Sequence, residues 1–395
     1  MPLLVLLFLL AQDLSHRGFV EGRATLYPQE AVNDSGQVIG EIRLQHEGFY
    51  RPWKSLQFAE SFDLRIDSHH QTEREFRLDW NNEGRKRALF SVRRLSAQYY
   101  RGGLTVEAGK QLVRWGRTDI INPTDRFAPR DYLTVVDNDF LGIDAVRAIY
   151  ERGAHTIDAI WSPHMTPSRI PLASQRWVIP PPEGTPPFVV QREIPDGPQA
   201  GVRWSYVGFV EFAAAFYDGF NHVPSYEFTP GSLVVKETYP ELRMIGGDIG
   251  LPLPLVLLKA EAAYFESPDR RTDDYVSYVI QLERQRGEWF FVAGYGGEAV
   301  TRPGLQSAEF NPVRGMTRTF LAHAGYTIDP NRSLDFEAAI RENFDGLWVN
   351  GEYSQAVGQH WRVTAGFTLI RGDSSDFLGQ YNRNSHATIA VRYSF

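Results

Sequence analysis

An alternation of apolar and polar residues with a period of two constrains this chain more than any other feature, because it recurs from the N-terminal part to the last residue. Residues 360–371 illustrate it: Trp361 and Val363 alternate with Arg362 and Thr364. Successive side chains of a β-strand point to opposite faces, so this pattern predicts strands with one apolar and one polar face. The sequence therefore predicts an all-β protein.

About 18 segments show this pattern, with 16 as the alternative count, and each has the 9 to 14 residues that a tilted strand needs to cross a bilayer. We therefore predict a transmembrane antiparallel β-barrel. The predicted strands are residues 18–27, 38–50, 54–67, 88–101, 103–113, 144–152, 154–162, 198–207, 209–218, 239–250, 254–266, 273–286, 288–298, 316–329, 332–343, 346–357, 360–371 and 385–395.

The connections between these segments alternate in length. Turns such as Arg101–Gly103 and Asp329–Ser333 are short, and between them lie longer connections. Short turns at one end and long loops at the other are typical of outer-membrane barrels, with short periplasmic turns and long extracellular loops. The long connections are residues 68–87, 114–143, 163–197, 219–238, 299–315 and 372–384.

Charged residues of both signs recur in the middle of the predicted strands, on the face opposite the apolar one. Arg43, Asp63, Asp158 and Glu261 are examples. Burying so many charges without partners is very unfavourable, so they must face water or one another. The apolar face is then the outside of the barrel, in contact with lipid.

The chain ends restrict its organisation further. The N-terminal run MPLLVLLFLLAQ resembles the apolar core of a secretory signal peptide, so residues 1–11 are predicted to be a signal-peptide remnant and residues 12–395 a single barrel. A buried N-terminal strand is the alternative.

Composition excludes several functions. With a net charge of −7 and no basic run, the chain is not expected to bind nucleic acid. The absence of cysteine excludes thiol catalysis, thiolate zinc sites and disulfides.

Two stretches carry a resemblance to known barrels. The last strand, HATIAVRYSF, ends in Phe395 and resembles the C-terminal signature of bacterial outer-membrane proteins that the barrel-assembly machinery reads. The first 135 residues are similar to a family of uncharacterised Gram-negative outer-membrane barrels, distantly similar to alginate-export-type and porin-like barrels. The matching core is Gly109, Lys110, Gln111, Val113, Trp115, Gly116, Thr118, Ile121, Asn122, Pro123, Thr124 and Asp125.

This resemblance implies the barrel fold and a location in the bacterial outer membrane, among its lipid and lipopolysaccharide. It implies no particular substrate.

Residues 114–143 form the most unusual connection. They combine charges of both signs with Trp115, Ile120, Ile121 and Phe127, which favour burial. We expect this segment to fold inward as a constriction loop; the alternative is that its Arg/Asp pairs only hold it against the barrel wall. The candidate constriction or lumen residues are Lys110, Arg114, Arg117, Asp119, Asp125, Arg126, Arg130 and Asp131.

Two further connections have distinctive compositions. Residues 163–198 are rich in proline and are predicted to form an extracellular loop or a lid over the barrel mouth. Asp137, Asp139 and Asp144 surround Gly142 and offer the hard oxygen ligands that Ca²⁺ prefers, without full EF-hand spacing. An acidic loop without metal is the alternative, and no other cofactor is expected.

No sequence motif for catalysis is present, so the chain is not predicted to be an enzyme. The sequence favours a channel for passive passage of a small or medium solute, selected by width and by lining charges of both signs, with modest charge selectivity. One alternative is a conduit for export or hydrophobic substrates that works with periplasmic partners. An enzyme that modifies membrane lipids is the other, and it requires a Ser/His or paired-carboxylate constellation.

Overall fold

The computed structural model describes residues 14–119, 121–180, 184–185, 187–229, 231–305 and 308–395. The predicted signal-peptide remnant, residues 1–11, and Ile120 lie outside the described residues. The described strands are β1 (Leu14–Leu26), β2 (Val38–Trp53), β3 (Leu56–Asp67), β4 (Phe90–Arg101), β5 (Leu104–Gln111), β6 (Arg130–Asp131), β7 (Asp139–Phe140), β8 (Ile143–Arg152), β9 (His155–Ser162), β10 (Val189–Glu193), β11 (Gln199–Tyr206), β12 (Glu211–Phe220), β13 (Ser225–Phe228), β14 (Val234–Thr238), β15 (Glu241–Pro252), β16 (Leu257–Glu266), β17 (Asp274–Arg286), β18 (Trp289–Arg302), β19 (Ala308–Glu309), β20 (Thr319–Asp329), β21 (Arg332–Arg341), β22 (Gly346–Val357), β23 (Trp361–Gly372) and β24 (His386–Ser394).

Eighteen of these described strands form one antiparallel sheet that closes into a barrel. Closure is made by β1, which pairs with β2 on one side and with β24 on the other. Each predicted strand overlaps one strand of this wall, so the predicted count of 18 is confirmed and the alternative of 16 is wrong. Because consecutive wall strands are neighbours, the short turns gather at one end of the barrel and the long loops at the other.

The orientation of the two faces follows the alternation in the sequence. On β3, Phe58, Leu64 and Ile66 are 43 to 51% exposed on the outer surface, whereas Asp63 and Arg65 are buried inside. The same division holds on neighbouring strands, where Ile42 and Leu44 of β2 are also exposed. The predicted sidedness is therefore correct: the apolar face forms the outside of the barrel.

Smaller elements lie in the long loops. A four-stranded sheet joins β10, β14, β13 and β19, and β6 pairs with β7. A short helix spans Pro312–Gly315, with the side chain of Asn311 accepting a hydrogen bond from its first turn, and a 3-10 helix spans Gly379–Asn384. Within the described part of the chain, no helix is long and apolar enough to cross a membrane.

The interior of the barrel contains an apolar core. Trp115 and Phe127, from the connection between β5 and β8, pack with wall residues that include Tyr217, Met244 and Phe265. Because these side chains come from residues 112–142, that connection lies inside the barrel. We call residues 112–142 the inner segment.

Candidate functional site

Aromatic contacts fix the inner segment in the barrel. The ring of Phe127 makes edge-to-face contacts with the rings of Trp115 and of Tyr217 on β12. The ring centres are 5.3 Å and 5.1 Å apart, respectively. All three side chains are at most 2% exposed. Ile121 is also buried and packs with Leu321 of β20. The apolar residues that predicted burial for this segment therefore attach it to two different parts of the wall.

Glu261 of β16 is the main polar anchor of the inner segment. One carboxylate oxygen accepts hydrogen bonds from the backbone N–H and the hydroxyl of Thr124, at 2.7 and 2.8 Å. The other accepts from the N–H of Arg117 at 2.9 Å and from the hydroxyl of Thr118 at 3.0 Å. Gly116 has φ of +96°, and a Cβ there would press on both oxygens at 3.0 Å. The Gly116, Thr118 and Thr124 positions of the sequence motif therefore form a cradle for one carboxylate.

Ion pairs add further anchors. Arg117 donates to Asp248 of β15 at 2.8 Å and also to Glu211 of β12. Burial alone would lower the pKa of Arg117, but hydrogen bonds to these carboxylates and their charges outweigh it and raise the pKa. Asp119 lies 3.5 Å from the Lys259 ammonium of β16. These contacts match the alternative expectation for such residues, that they hold the segment to the wall.

Arg114 and Asp125 form a pair within the inner segment itself. The Arg114 guanidinium donates to Asp125 at 2.5 Å, and the N–H of Trp115 donates to the same carboxylate at 2.9 Å. Burial raises the pKa of Asp125 even though Arg114 acts in the opposite direction. The pair therefore joins the start of the inner segment, at residues 114 and 115, to residue 125 further along it.

Asp131 joins the inner segment to two other loops. Its carboxylate accepts from Arg87 at 2.9 Å and from Arg169 at 3.3 Å, and it is only 3% exposed. Burial acts to raise the pKa of Asp131, but the two guanidinium groups outweigh it and lower the pKa to about 2. This carboxylate is a buried link between loops, and the cavity of about 30 Å³ that it helps to line has room for about one water molecule.

Arg126 and Arg130 differ from the other charged residues of the segment. Arg126 donates to the amide oxygen of Asn221 at 3.2 Å, and Arg130 to that of Asn138 at 2.8 Å, so both bond to neutral groups. Both line a cavity of about 390 Å³ between the inner segment and the wall. We call this cavity the aromatic chamber, because Phe265, Tyr275, Trp348 and Phe377 also line it.

A second cavity, of about 420 Å³, lies between the inner segment and the wall near the closing strands. We call it the arginine chamber. Six arginines and four carboxylates line it: Arg23, Arg43, Arg65, Arg87, Arg93 and Arg392, with Glu21, Glu41, Asp137 and Asp139. Asp137 and Asn138, which we call the tip of the inner segment, line both chambers, so this tip lies between the two chambers.

Lys110 does not face either chamber. Its ammonium donates to the carbonyl of Trp80 and lies 5.4 Å from the centre of that ring, and the residue is 1% exposed. Trp80 belongs to the loop between β3 and β4, which covers Lys110. The expectation that Lys110 lines the lumen is therefore wrong, because this loop folds over it.

The three aspartates proposed for Ca²⁺ do not converge. Asp137 pairs with Arg23 at 2.6 Å, and Asp139 accepts from Arg93 at 2.8 Å. Asp144 instead accepts from the indole of Trp80 at 2.8 Å. Among the described residues no group of three His, Asp or Glu side chains is placed to hold a metal ion. Each carboxylate has a different partner, so these residues do not form the predicted site.

The proline-rich connection has a buried part and an exposed part. Trp177 is 1% exposed and packs on Tyr381 with ring centres 5.6 Å apart. The Arg176 guanidinium lies 3.7 Å from the ring centre of Tyr27. By contrast, Phe188 and Val189 are exposed. Residues 163–180 therefore pack into the long-loop end of the barrel, and the described residues after them lie at the surface.

The barrel is similar to several solved structures. The BenF-like porin from Pseudomonas fluorescens aligns over 97% of this chain and 98% of its own, with a TM-score of 0.58 and 9% identity. OccAB3 from Acinetobacter baumannii aligns over 97% of this chain and 99% of its own, with a TM-score of 0.57 and 8% identity. OccAB4 from the same organism aligns over 96% of this chain and 97% of its own, with a TM-score of 0.56 and 10% identity.

The chain has the fold of an outer-membrane porin. No protein-family model matches the sequence, and no curated protein is significantly similar to it. These similarities, at 8 to 10% identity, show the fold alone.

Proposed function

We propose that this protein is a channel in the bacterial outer membrane through which small solutes pass passively between the inner segment and the barrel wall. The observation that carries the proposal is the pair of chambers. They have volumes of about 390 and 420 Å³ and share the lining residues Asp137 and Asn138. The proposed path leads from one chamber to the other past Asp137 and Asn138, which line both.

The inner segment is proposed to be the constriction. A barrel of 18 strands is too wide for its own side chains to fill, so selection among solutes needs an internal obstacle. Arg126 and Arg130 are the proposed selecting charges, because each lines the aromatic chamber and bonds to an amide oxygen instead of a carboxylate. Export of a polymer would need a continuous wide lumen, which the inner segment interrupts.

Two lining arginines favour a modest preference for anions. The six arginines of the arginine chamber are balanced by carboxylates, because Asp63 and Asp131 pair with them in addition to the four carboxylates that line the chamber. Arg126 and Arg130 of the aromatic chamber bond to amide oxygens, so their charge attracts anionic solutes, while the carboxylates that also line that chamber limit the strength of the field. We therefore propose small organic anions as the preferred solutes.

Single-channel recording in planar bilayers tests this proposal. Substituting both Arg126→Gln and Arg130→Gln removes two lining cations, and the anion-to-cation permeability ratio is expected to fall by about two-fold or more. Arg286→Gln is the control, since Arg286 is exposed at a short turn and lines neither chamber. An unchanged ratio in the double variant would show that these arginines do not select, and the absence of any current would contradict an open channel.

A further inference from the structure

The charges on the wall of the arginine chamber alternate in sign. On β1, Glu21 lies directly opposite Arg392 of β24 on one side and Arg43 of β2 on the other. Two residues further along β1, Arg23 lies opposite Glu41 of β2. Every second residue of a strand faces the lumen, so these positions are neighbours on one surface. Opposite charges therefore adjoin one another both along the strands and across them.

This alternation makes the electric field of the wall short-ranged. Each of the six arginines of the chamber has a guanidinium nitrogen within 3.4 Å of a carboxylate oxygen. Neighbouring strands are about 4.8 Å apart, and beyond such a distance the fields of adjacent opposite charges largely cancel. The arginine chamber therefore gives little net attraction to a charge of either sign and acts on a solute mainly by direct contact.

Part of this network is open to a solute. The side chains of Arg23 and Arg392 on the wall are 35 and 37% exposed, and those of Asp137 and Asp139 on the inner segment are 64 and 34% exposed. All four line the arginine chamber. Guanidinium groups only donate hydrogen bonds, and ionised carboxylates only accept them. A solute in this chamber thus meets donors from the wall and acceptors from the inner segment.

A hydroxyl group suits this lining better than an ionised group does. It accepts a hydrogen bond from a guanidinium and donates one to a carboxylate, whereas an ionised group of either sign is repelled by half of the lining. An apolar chain would strip water from the ionised side chains without replacing the hydrogen bonds. The chamber volume of about 420 Å³ lies within the range of about 300–1,000 Å³ that is usual for small-molecule sites.

We propose that the preferred solutes of this channel are hydroxylated carboxylates. Their carboxylate is attracted by Arg126 and Arg130 of the aromatic chamber, and their hydroxyl groups bind the alternating charges of the arginine chamber. This inference rests on the proposed function, because it needs both chambers to lie on one path. It adds hydroxyl groups to negative charge as a second criterion of selection.

Glycerate and propionate are suitable probes, because they share a three-carbon chain and one carboxylate and differ by two hydroxyl groups. Reversal potentials in planar bilayers at neutral pH, with the sodium salt of one anion on each side, give their permeability ratio in the wild-type channel. Glycerate is the larger anion, so selection by width alone favours propionate. We expect the opposite order, with glycerate about five-fold more permeant, as the net gain of about one hydrogen bond would give.

The contribution of the wall is tested by combining Glu21→Leu with Arg392→Leu. This double variant removes one ion pair of the arginine chamber and leaves the net charge unchanged. The preference for glycerate is expected to fall by about five-fold, because a donor to the hydroxyl groups is lost. The anion-to-cation permeability ratio is expected to match that of wild type, since Arg126 and Arg130 are retained.

The control combines Asp218→Leu with Arg243→Leu. These residues also form an ion pair at directly opposite positions of neighbouring strands, β12 and β15, but they line neither chamber. The control is expected to keep the wild-type preference for glycerate. Heat-modifiable gel mobility shows whether each double variant folds, and the comparison of the two anions in the wild-type channel needs no variant at all.

Three results would overturn the inference. They are a wild-type channel in which propionate is as permeant as glycerate, an unchanged preference in the folded Glu21→Leu/Arg392→Leu variant, and an equal fall in the control. In each case ionic current still flows, so the proposed channel stands without its preference for hydroxyl groups. The absence of current with every salt would instead contradict the proposed channel and this inference together.

Discussion

At the scale of single residues, the charges of the inner segment have different roles that depend on their partners. Asp131 is held by two guanidinium groups in a buried site, whereas Arg130, its neighbour in sequence, bonds to an amide and lines a chamber. A buried ion pair that loses one partner leaves an uncompensated charge and is strongly destabilised. Asp131 is therefore expected to contribute to stability, and Arg130 to passage.

Asp131→Asn is expected to lower the free energy of unfolding by about 3–5 kcal/mol at neutral pH, because Arg87 and Arg169 lose their common carboxylate. The pKa of Asp131 is lowered to about 2 in the folded protein, compared with about 3.9 for an unfolded aspartate. Its stabilisation is therefore complete above about pH 4 and is lost as the pH falls towards 2.

Urea unfolding of the detergent-solubilised barrel measures this effect. The difference between wild type and Asp131→Asn is expected to be largest near neutral pH and to shrink between about pH 4 and pH 2. The exposed Asp345→Asn is the control and is expected to change stability by less than about 0.5 kcal/mol at any pH. A difference that does not depend on pH would contradict the ion-pair explanation.

At the scale of elements, the inner segment is positioned by a residue far away in the sequence. Glu261 is 144 residues from Arg117 in the sequence, and its carboxylate accepts a hydrogen bond from the backbone N–H of Arg117. Glu261→Gln replaces one acceptor oxygen with a donor, leaving buried N–H groups unsatisfied at about 1–3 kcal/mol each. The segment is expected to loosen, and single-channel currents are expected to become larger and noisier.

The control for this prediction is Glu107→Gln on β5. Glu107 also faces inward, but it accepts from Arg94 and Ser96 of the wall and does not contact the inner segment. Its currents are expected to match those of wild type. Steady currents of wild-type size from Glu261→Gln would show that the aromatic contacts alone hold the segment.

Sequence alone predicts much of this arrangement. The alternation predicted the strands and their sidedness because it is a local property of each strand. Trp115, Ile121 and Phe127 predicted that their segment is buried, since apolar side chains of that size favour burial. The partner of the motif, Glu261, was not predictable as an anchor, because strands that are distant in sequence bring it there. The separate roles of Arg117 and Arg130 also depend on which wall residue each one meets.

At the scale of the whole molecule, the closing of the barrel joins the two ends of the described chain. The N–H of Gly18 donates to the carbonyl of Phe395 at 3.0 Å, and the N–H of Phe395 donates to the carbonyl of Gly18 at 3.0 Å. The Phe395 ring lies over Gly18, where a Cβ would come within 2.7 Å of it. The same residue thus completes the seam and carries the resemblance to an assembly signal.

We propose that the barrel-assembly machinery reads the Phe395 ring, and Phe395→Ala separates this role from closing the seam. The variant keeps both backbone bonds to Gly18, so refolding of purified protein in detergent is expected to match that of wild type. Its level in the outer membrane of cells is expected to fall several-fold. Ile389→Ala, at an outward position of the same strand, is the control and is expected to retain its level. Equal losses in refolding and in cells would mean that the ring stabilises the seam without serving as a signal.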